Sequence, residues 1–190
     1  MHHPEKKFLF IHPQKCAGTS LRHILRNEYS EGIISDELEP QGSGHWRAAE
    51  WANHIGPGIK NYYKFAVVRN PWDRAVSYYH HLQKHKDYKQ PFWKFILNDV
   101  HIQSINYAIY PKLHIKGKYI VDDIIRQEHF ESDLEIVMGK LGIADYEVLN
   151  LKHDTNRPSQ DYREYYDQQQ LIDQIASLSH FEIEKYGYEF

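Results

Sequence analysis

The stretch IHPQKCAGTS (Ile11–Ser20) places one lysine, one glycine and two hydroxyl residues directly behind the apolar run FLF. An apolar run of this kind reads as a short buried strand, Phe8–His12. Beyond the turn, Leu21, Ile24, Leu25 and Tyr29 recur at helical spacing, which starts a helix near Gly18–Ser20. A strand that turns tightly into a helix presents unpaired N–H groups and the positive end of the helix dipole, and both hold an oxyanion. Gly18 lets backbone approach the anion closely. Thr19 and Ser20 add hydroxyl donors, and Lys15 adds a mobile full charge. The order is not that of a Walker A loop, because the lysine precedes the glycine by three positions. On spacing alone, a capping hydroxyl and a solvated lysine account for the same residues.

A second stretch, KFAVVRNPWDRAVSYYHH, gives an independent reading. YYKFAVVR (Tyr62–Arg69) is a second buried strand, and Pro71 suits the first turn of a helix running through WDRAVSYYHHLQKH. Arg69 leaves the strand, and Ser77 follows eight positions later on the helix. A guanidinium at a sheet edge can fork onto a phosphate, with a serine one or two turns on facing the same side. Taken alone, Arg69 in a structural ion pair and Ser77 at the surface explain the pattern better. Arg74 reads as exposed or ion-paired, and Trp72 as core rather than as a neighbour of a base.

In this order the two stretches resemble the donor-binding motifs of the sulfotransferases. FIHPQKCAGTSL resembles the phosphosulfate-binding loop commonly written Pro-Lys-Thr-Ala-Gly-Thr-Ser, with Gln14 between Pro13 and Lys15 and Cys16 in the threonine place. The fuller resemblance is to the carbohydrate sulfotransferases, bacterial members and Golgi relatives included. It implies a P-loop-NTPase-like, three-layer α/β/α fold with a short central parallel sheet. It also implies 3′-phosphoadenosine 5′-phosphosulfate (PAPS) as co-substrate, a hydroxyl of a carbohydrate or glycolipid as acceptor, and no metal. Lys15, Cys16, Ala17, Gly18, Thr19 and Ser20 match the positions at the 5′ end of the donor, and Arg69 and Ser77 those at its 3′-phosphate. Arg157 and Ser159 fall where the family closes over the nucleotide, with His153 and Asn156 lining the same region. GHWRAAEWANHIG, DIIRQEHFESDLEIVMGKLGI and the segment from His153 to Phe190 are similar to further family segments, so the resemblance covers nearly the whole chain.

Sulfuryl transfer needs positioning, charge stabilisation and a base for the acceptor proton. The resemblance assigns Lys15 to the leaving oxygen and His45 to the proton, and an imidazole suits that work at neutral pH. Glu50 either orients His45 or acts in its place. His12, at the strand end, is a second polar contact or a packed histidine. His80, His81 and His85 invite a zinc reading, but no third ligand stands near and a solvated helix face explains them. Cys16 is a packed small residue or a reactive thiol at a helix start.

The elements that position these residues alternate. HWRAAEWANHI is a short helix closed at Gly56, PFWKFILNDV a helix opened by Pro91, and YIVDDIIRQE (Tyr119–Glu128) an edge-like third strand. ESDLEIVMGKLGI carries Ser132 and Glu135 at capping-box spacing and ends at Gly142. A last helix shows Leu171, Ile172, Ile175 and Leu178 on one face, and the whole alternation implies a parallel sheet covered by helices. The 190 residues suit one domain, and 41% hydrophobic residues argue against disorder. A net charge of −3 gives no general nucleic-acid affinity, and the single cysteine excludes a disulfide framework. There is no membrane-spanning run, MHHPEKK is not a signal peptide, and a cytoplasmic protein is expected. The rival classes are a nucleotide-dependent kinase, disfavoured by the missing Walker A order, and a non-catalytic nucleotide-binding protein, against which His45 counts.

Overall fold

The computed structural model describes residues 1–29, 31–34, 45–104, 107–148 and 157–190, so QGSG, His153 and Asn156 lie outside the described residues. In chain order the strands are β1 (His2–His3), β2 (Phe8–Ile11), β3 (Tyr63–Val68), β4 (His114–Ile115), β5 (Lys118–Tyr119) and β6 (Asp123–Arg126). The helices are α1 (Gly18–Glu28), α2 (Ala48–Ile55), α3 (Pro71–Lys86), α4 (Phe92–Asn98), α5 (Val100–Gln103), α6 (Tyr110–Leu113), α7 (Phe130–Leu141), α8 (Gln169–Leu178) and α9 (His180–Tyr186). These elements form two compact units, Met1–Val68 with Pro111–Lys152 and Arg69–Tyr110 with His153–Phe190.

The first unit is mixed α/β. Its main sheet has the order β1-β2-β3-β6, in which β2, β3 and β6 run parallel and β1 lies antiparallel on β2. The register sets Phe10 beside Phe65 and Ala66 beside Ile124. Every residue of FLFI in β2 is buried, as are Phe65, Ala66, Val67 and Val68 of β3. Strands covered on both faces read as continuous apolar runs rather than alternating ones, which is why both were visible in the sequence. The third strand is shorter than its sequence pattern, because Lys118 and Tyr119 pair with β4 in a separate two-stranded sheet. β1 has no apolar signature at all; the sheet recruits His2 and His3 through backbone pairing with Leu9 and Phe8.

Helices cover this sheet through their apolar stripes. α1 buries Leu21, Ile24 and Leu25, and α7 packs on β6 through Leu134, Val137 and Met138. Gly142 ends α7 in the left-handed region, φ 74°, as its sequence position foretells. The start of α7 is a correction. The helix begins at Phe130, which makes Ser132 its third residue, and Ser132 Oγ donates to the carbonyl of His129 at 3.1 Å rather than capping. The N-terminal tie is instead Asp133, which accepts from Arg126 N, Nε and Nη2 at 2.8–2.9 Å.

The second unit is helical. α3 opens with Pro71 in its first turn, capped by Asn70 Oδ1, which accepts from Trp72 N at 3.1 Å and Asp73 N at 3.3 Å. Trp72, Ala75, Val76, Tyr79 and Leu82 join Phe95, Ile96, Tyr166, Leu171 and Ile175 in one core. Trp72 is therefore a core residue, and its Nε1 donates to the carbonyl of Ile172 at 3.0 Å. Arg74 is fully buried with Glu182 at 3.6 Å and stacks over Tyr107 at 4.1 Å. The last apolar stripe, Leu171, Ile172, Ile175 and Leu178, lies wholly within α8, and α9 follows after Ser179. Among the described residues no helix is long and apolar enough to cross a membrane.

The Asp133 carboxyl lies below its ordinary range, chiefly through its hydrogen bonds to Arg126, against the opposing effect of burial. A carboxyl lowered by folding stabilises above its unfolded pKa, and that contribution is lost as pH falls through the folded value. Asp133→Asn should cost about 2 kcal/mol at pH 7, and the difference from wild type should shrink below pH about 4. Urea unfolding at both pH values checks this; a difference independent of pH contradicts it.

Candidate active site

The loop between β2 and α1 is held in an uncommon conformation. Lys15 and Ala17 both adopt positive φ, 62° and 58°, in the left-handed region that non-glycine residues seldom enter. Each such residue stores about 1–3 kcal/mol unless its surroundings fix it. Left-handed turns of this kind aim successive N–H groups into one concavity. Ala17 is the N-cap of α1 and makes no side-chain cap, and no acidic residue stands in the first turn. No side chain of this segment therefore caps the helix start. Ser20 N is engaged by the Ala17 carbonyl at 3.2 Å, Thr19 is exposed, and Gly18 is buried. Cys16 is buried with its thiol donating to the Gln14 carbonyl at 3.5 Å, which fits the packed reading and leaves only its backbone for a ligand.

Gly18 is required by proximity. A Cβ there would lie 1.9 Å from His12 Cδ2 and 2.2 Å from His12 Nε2. His12 is only 7% exposed and stacks on Phe10 with ring centroids 5.8 Å apart, so its ring has little room to yield. Its Nδ1 lies 3.5 Å from Arg22 Nη1, and its carbonyl lies 2.9 Å from His45 Nδ1. A carbonyl only accepts, so Nδ1 of His45 carries the proton and its Nε2 keeps the lone pair. The two imidazoles meet edge to face at 4.6 Å. The main-chain carbonyl of His45 accepts in turn from Lys112 Nζ at 2.6 Å, and Lys112 is 1% exposed. Burial first, and then the positive charge of His45, Arg22, the N-terminus and Lys112, pushes His12 well below the usual histidine range.

Glu50 is committed elsewhere. Its Oε2 accepts from Arg47 N at 2.6 Å at the start of α2, and its Oε1 from Arg47 Nη2 at 2.7 Å. Burial raises its pKa, but the Arg47 hydrogen bonds and charge, helped by Lys112, outweigh this and hold it low. Glu50 therefore shapes the helix that follows His45. Arg22 and Lys112 carried no signal in the sequence: one is a charge on an apolar helix face, the other lies in a segment without periodicity.

The second motif lies in the second unit. Asp73 accepts from Arg69 Nε at 2.8 Å through Oδ2, and from Arg157 Nη1 at 2.8 Å through Oδ1. Two guanidiniums on one carboxylate leave a net positive charge. Arg157, 8% exposed at its side chain, stacks near the Tyr165 ring at 5.6 Å, and its Nε and Nη2 are buried without a hydrogen-bond partner among the described residues. Arg69 and Arg157 are thus brought together by Asp73, which the sequence reading passed over. Ser77 is half-buried about two turns into α3, and among the described residues its Oγ makes no hydrogen bond. Ser159 turns to its own loop, with Oγ accepting from Asp161 N at 3.1 Å. His81 and His85 meet with ring centroids 4.7 Å apart and planes tilted by 43°, and among the described residues no group of three or more His, Cys, Asp or Glu could hold a metal.

The first unit thus holds a left-handed strand–helix turn with His45 hydrogen-bonded to the His12 carbonyl, and the second unit one carboxylate shared by two arginines. The model of the sulfotransferase family matches residues 1–189, and the chain belongs to that family. Membership implies a transferase that moves a sulfuryl group from a small-molecule donor to an acceptor. The chain is also 30% identical over 95 residues to an uncharacterized protein of Archaeoglobus fulgidus, a match covering 49% of this chain and 79% of that protein. No solved structure matches it.

Gly18→Ala should lower stability by about 1–3 kcal/mol and displace the His12 ring. Gly58→Ala, where an added Cβ meets nothing within 4 Å, is the control. Thermal melts of the two variants decide: equal midpoints would mean that His12 yields freely.

Proposed function

We propose that the protein is a PAPS-dependent sulfotransferase acting on a hydroxyl of a carbohydrate or glycolipid, with residues 1–190 as one catalytic domain. The observation that carries this reading is the 2.9 Å bond from His45 Nδ1 to the His12 carbonyl. It places the proton of the neutral His45 ring on Nδ1, so the lone pair lies on Nε2, which is the tautomer a general base needs. PAPS, when bound, supplies a sulfuryl group whose bond to the bridging oxygen breaks as a new S–O bond forms on the acceptor.

The residues fit such a donor at both ends. Lys15, the backbone of Cys16 and Ala17, Gly18, Thr19 and Ser20 would hold the 5′ end, where an uncapped helix start lacking acidic residues favours an oxyanion. Arg69, Arg157, Ser77 and Ser159 are assigned to the 3′-phosphate and the loop over it, and the orphaned Nε and Nη2 of Arg157 suit that assignment. His45 Nε2 takes the acceptor proton. Lys15 offsets the negative charge left on the departing oxygen. Positioning and electrostatics then supply most of the acceleration, and no metal has a role.

Calorimetry with adenosine 3′,5′-bisphosphate tests the donor. Lys15→Ala and Arg69→Ala should each weaken its binding strongly. His45→Ala should bind it normally yet lose transfer from PAPS by about 10²–10⁴-fold, the usual contribution of a positioned base. Tight binding of ATP with no preference for a 3′-phosphate refutes the donor assignment. A screen of glycan and glycolipid acceptors with labelled PAPS tests the acceptor.

A further inference from the structure

We propose that His12 is a neutral hydrogen-bond donor of the cradle: its Nε2–H, held over Gly18, donates to an oxygen of the tetrahedral sulfate or phosphate bound there, and Arg22 is the positioning residue that sets its tautomer. The proposal rests on the reading of the cradle as the donor's 5′ site.

Three observations lead to it. Arg22 Nη1 faces His12 Nδ1 at 3.5 Å, and a guanidinium carries donors only. The imidazole nitrogen opposite it must present a lone pair, so the ring proton belongs to Nε2. That nitrogen lies against the first residue of α1, since an ideal Cβ on Gly18 would be 2.2 Å away. Among the described residues Nε2 has no hydrogen-bond partner of its own. A buried N–H aimed at a helix start is thus left with a donor to spend, and the nearest built function for it is the anion.

The charge state supports the same role. The side chains closest in effect are His45 from the segment before α2, Arg22 from α1 and Lys112 from α6, together with the N-terminal amine. All are cationic or become so on protonation, and all oppose a proton on His12 after burial has already done so. The ring therefore remains a neutral imidazole, able to donate from Nε2 without trapping the anion as an imidazolium would. Neutral donors aimed at developing charge act more strongly in the transition state than in the ground state. The backbone of the same residue fixes His45, so one residue serves the sulfuryl oxygens with its ring and the base with its carbonyl.

Histidine-selective ¹⁵N NMR of the free protein reads the tautomer directly. His12 should appear as the neutral Nε2–H form at pH 7 and below pH 6, and Arg22→Gln should mix the two tautomers. An Nδ1–H form or an imidazolium at pH 7 overturns the proposal. Kinetics read the role: His12→Leu should lower kcat by about 100-fold, and His12→Gln, which keeps an N–H near the Nε2 position, should recover most of it. Both retain the backbone carbonyl that holds His45. Unchanged kcat in His12→Leu, with wild type binding adenosine 3′,5′-bisphosphate, overturns this proposal alone. Absence of that binding in wild type overturns the donor reading instead. If His12→Leu does not fold, the Arg22→Gln spectrum and the kcat of His12→Gln decide.

Discussion

There is no room for a Cβ between the His12 ring and the first residue of α1, and the arrangement of the cradle follows from that contact. Glycine is required at position 18 by distance and not by backbone angle. Once the ring touches Gly18, the end of β2 and the start of α1 are pinned together, and the six residues between them must close a short loop. That closure explains why Lys15 and Ala17 occupy the left-handed region although neither is glycine. It also explains Arg22. A residue four positions beyond Gly18 returns to the same helix face, which brings its guanidinium back over His12.

Positive charge gathers around this contact in layers. Lys15 is partly exposed, while Arg22 and Lys112 are buried at 7% and 1% exposure. Burying cations is costly unless polar partners or a bound anion compensate, so a chain of net charge −3 does not place them together by composition alone. The His12 ring, pushed well below the usual histidine range by burial and the surrounding positive charge, carries no charge of its own at neutral pH, and this limits the repulsion. Lys112 binds the main-chain carbonyl of His45 rather than its ring. It therefore holds the segment in place through its main chain.

The elements and motifs carried by short-range pattern were legible: β2 and β3 as unbroken apolar runs, α1 and α3 with their apolar stripes, Pro71 at a helix start, Gly142 at a helix end. Features that depend on who sits opposite were not. β1 pairs through backbone alone, so two histidines leave no trace of a strand. Ser132 and Glu135 have capping-box spacing, but the N-cap falls three residues earlier, at His129, and the first turn is tied by Asp133 to Arg126. Asp73 reads as an ordinary acidic residue of a first helical turn, and only the fold shows one carboxylate shared by Arg69 and Arg157. Lys112 lies far from every motif in the sequence and meets His45 only through tertiary structure.

The two clusters assigned to the donor differ in kind, and each has the character that its end of the proposed donor would need. The site in the second unit is made of full charges, two guanidiniums steered by one carboxylate, which suit uniform binding of a group that does not react. The cradle in the first unit is made mostly of backbone N–H groups and imidazole, with a single ammonium. Such donors are individually weak, but they are fixed in place by Gly18, Phe10 and Arg22 before any ligand arrives. Preorganised dipoles cost no rearrangement when charge shifts between oxygens, whereas a rigid array of full charges would stabilise the starting anion as much as the transition state. Under the proposed assignment the remote phosphate would meet arginines and the reacting group neutral N–H donors, so the strongest grip would fall where no bond changes.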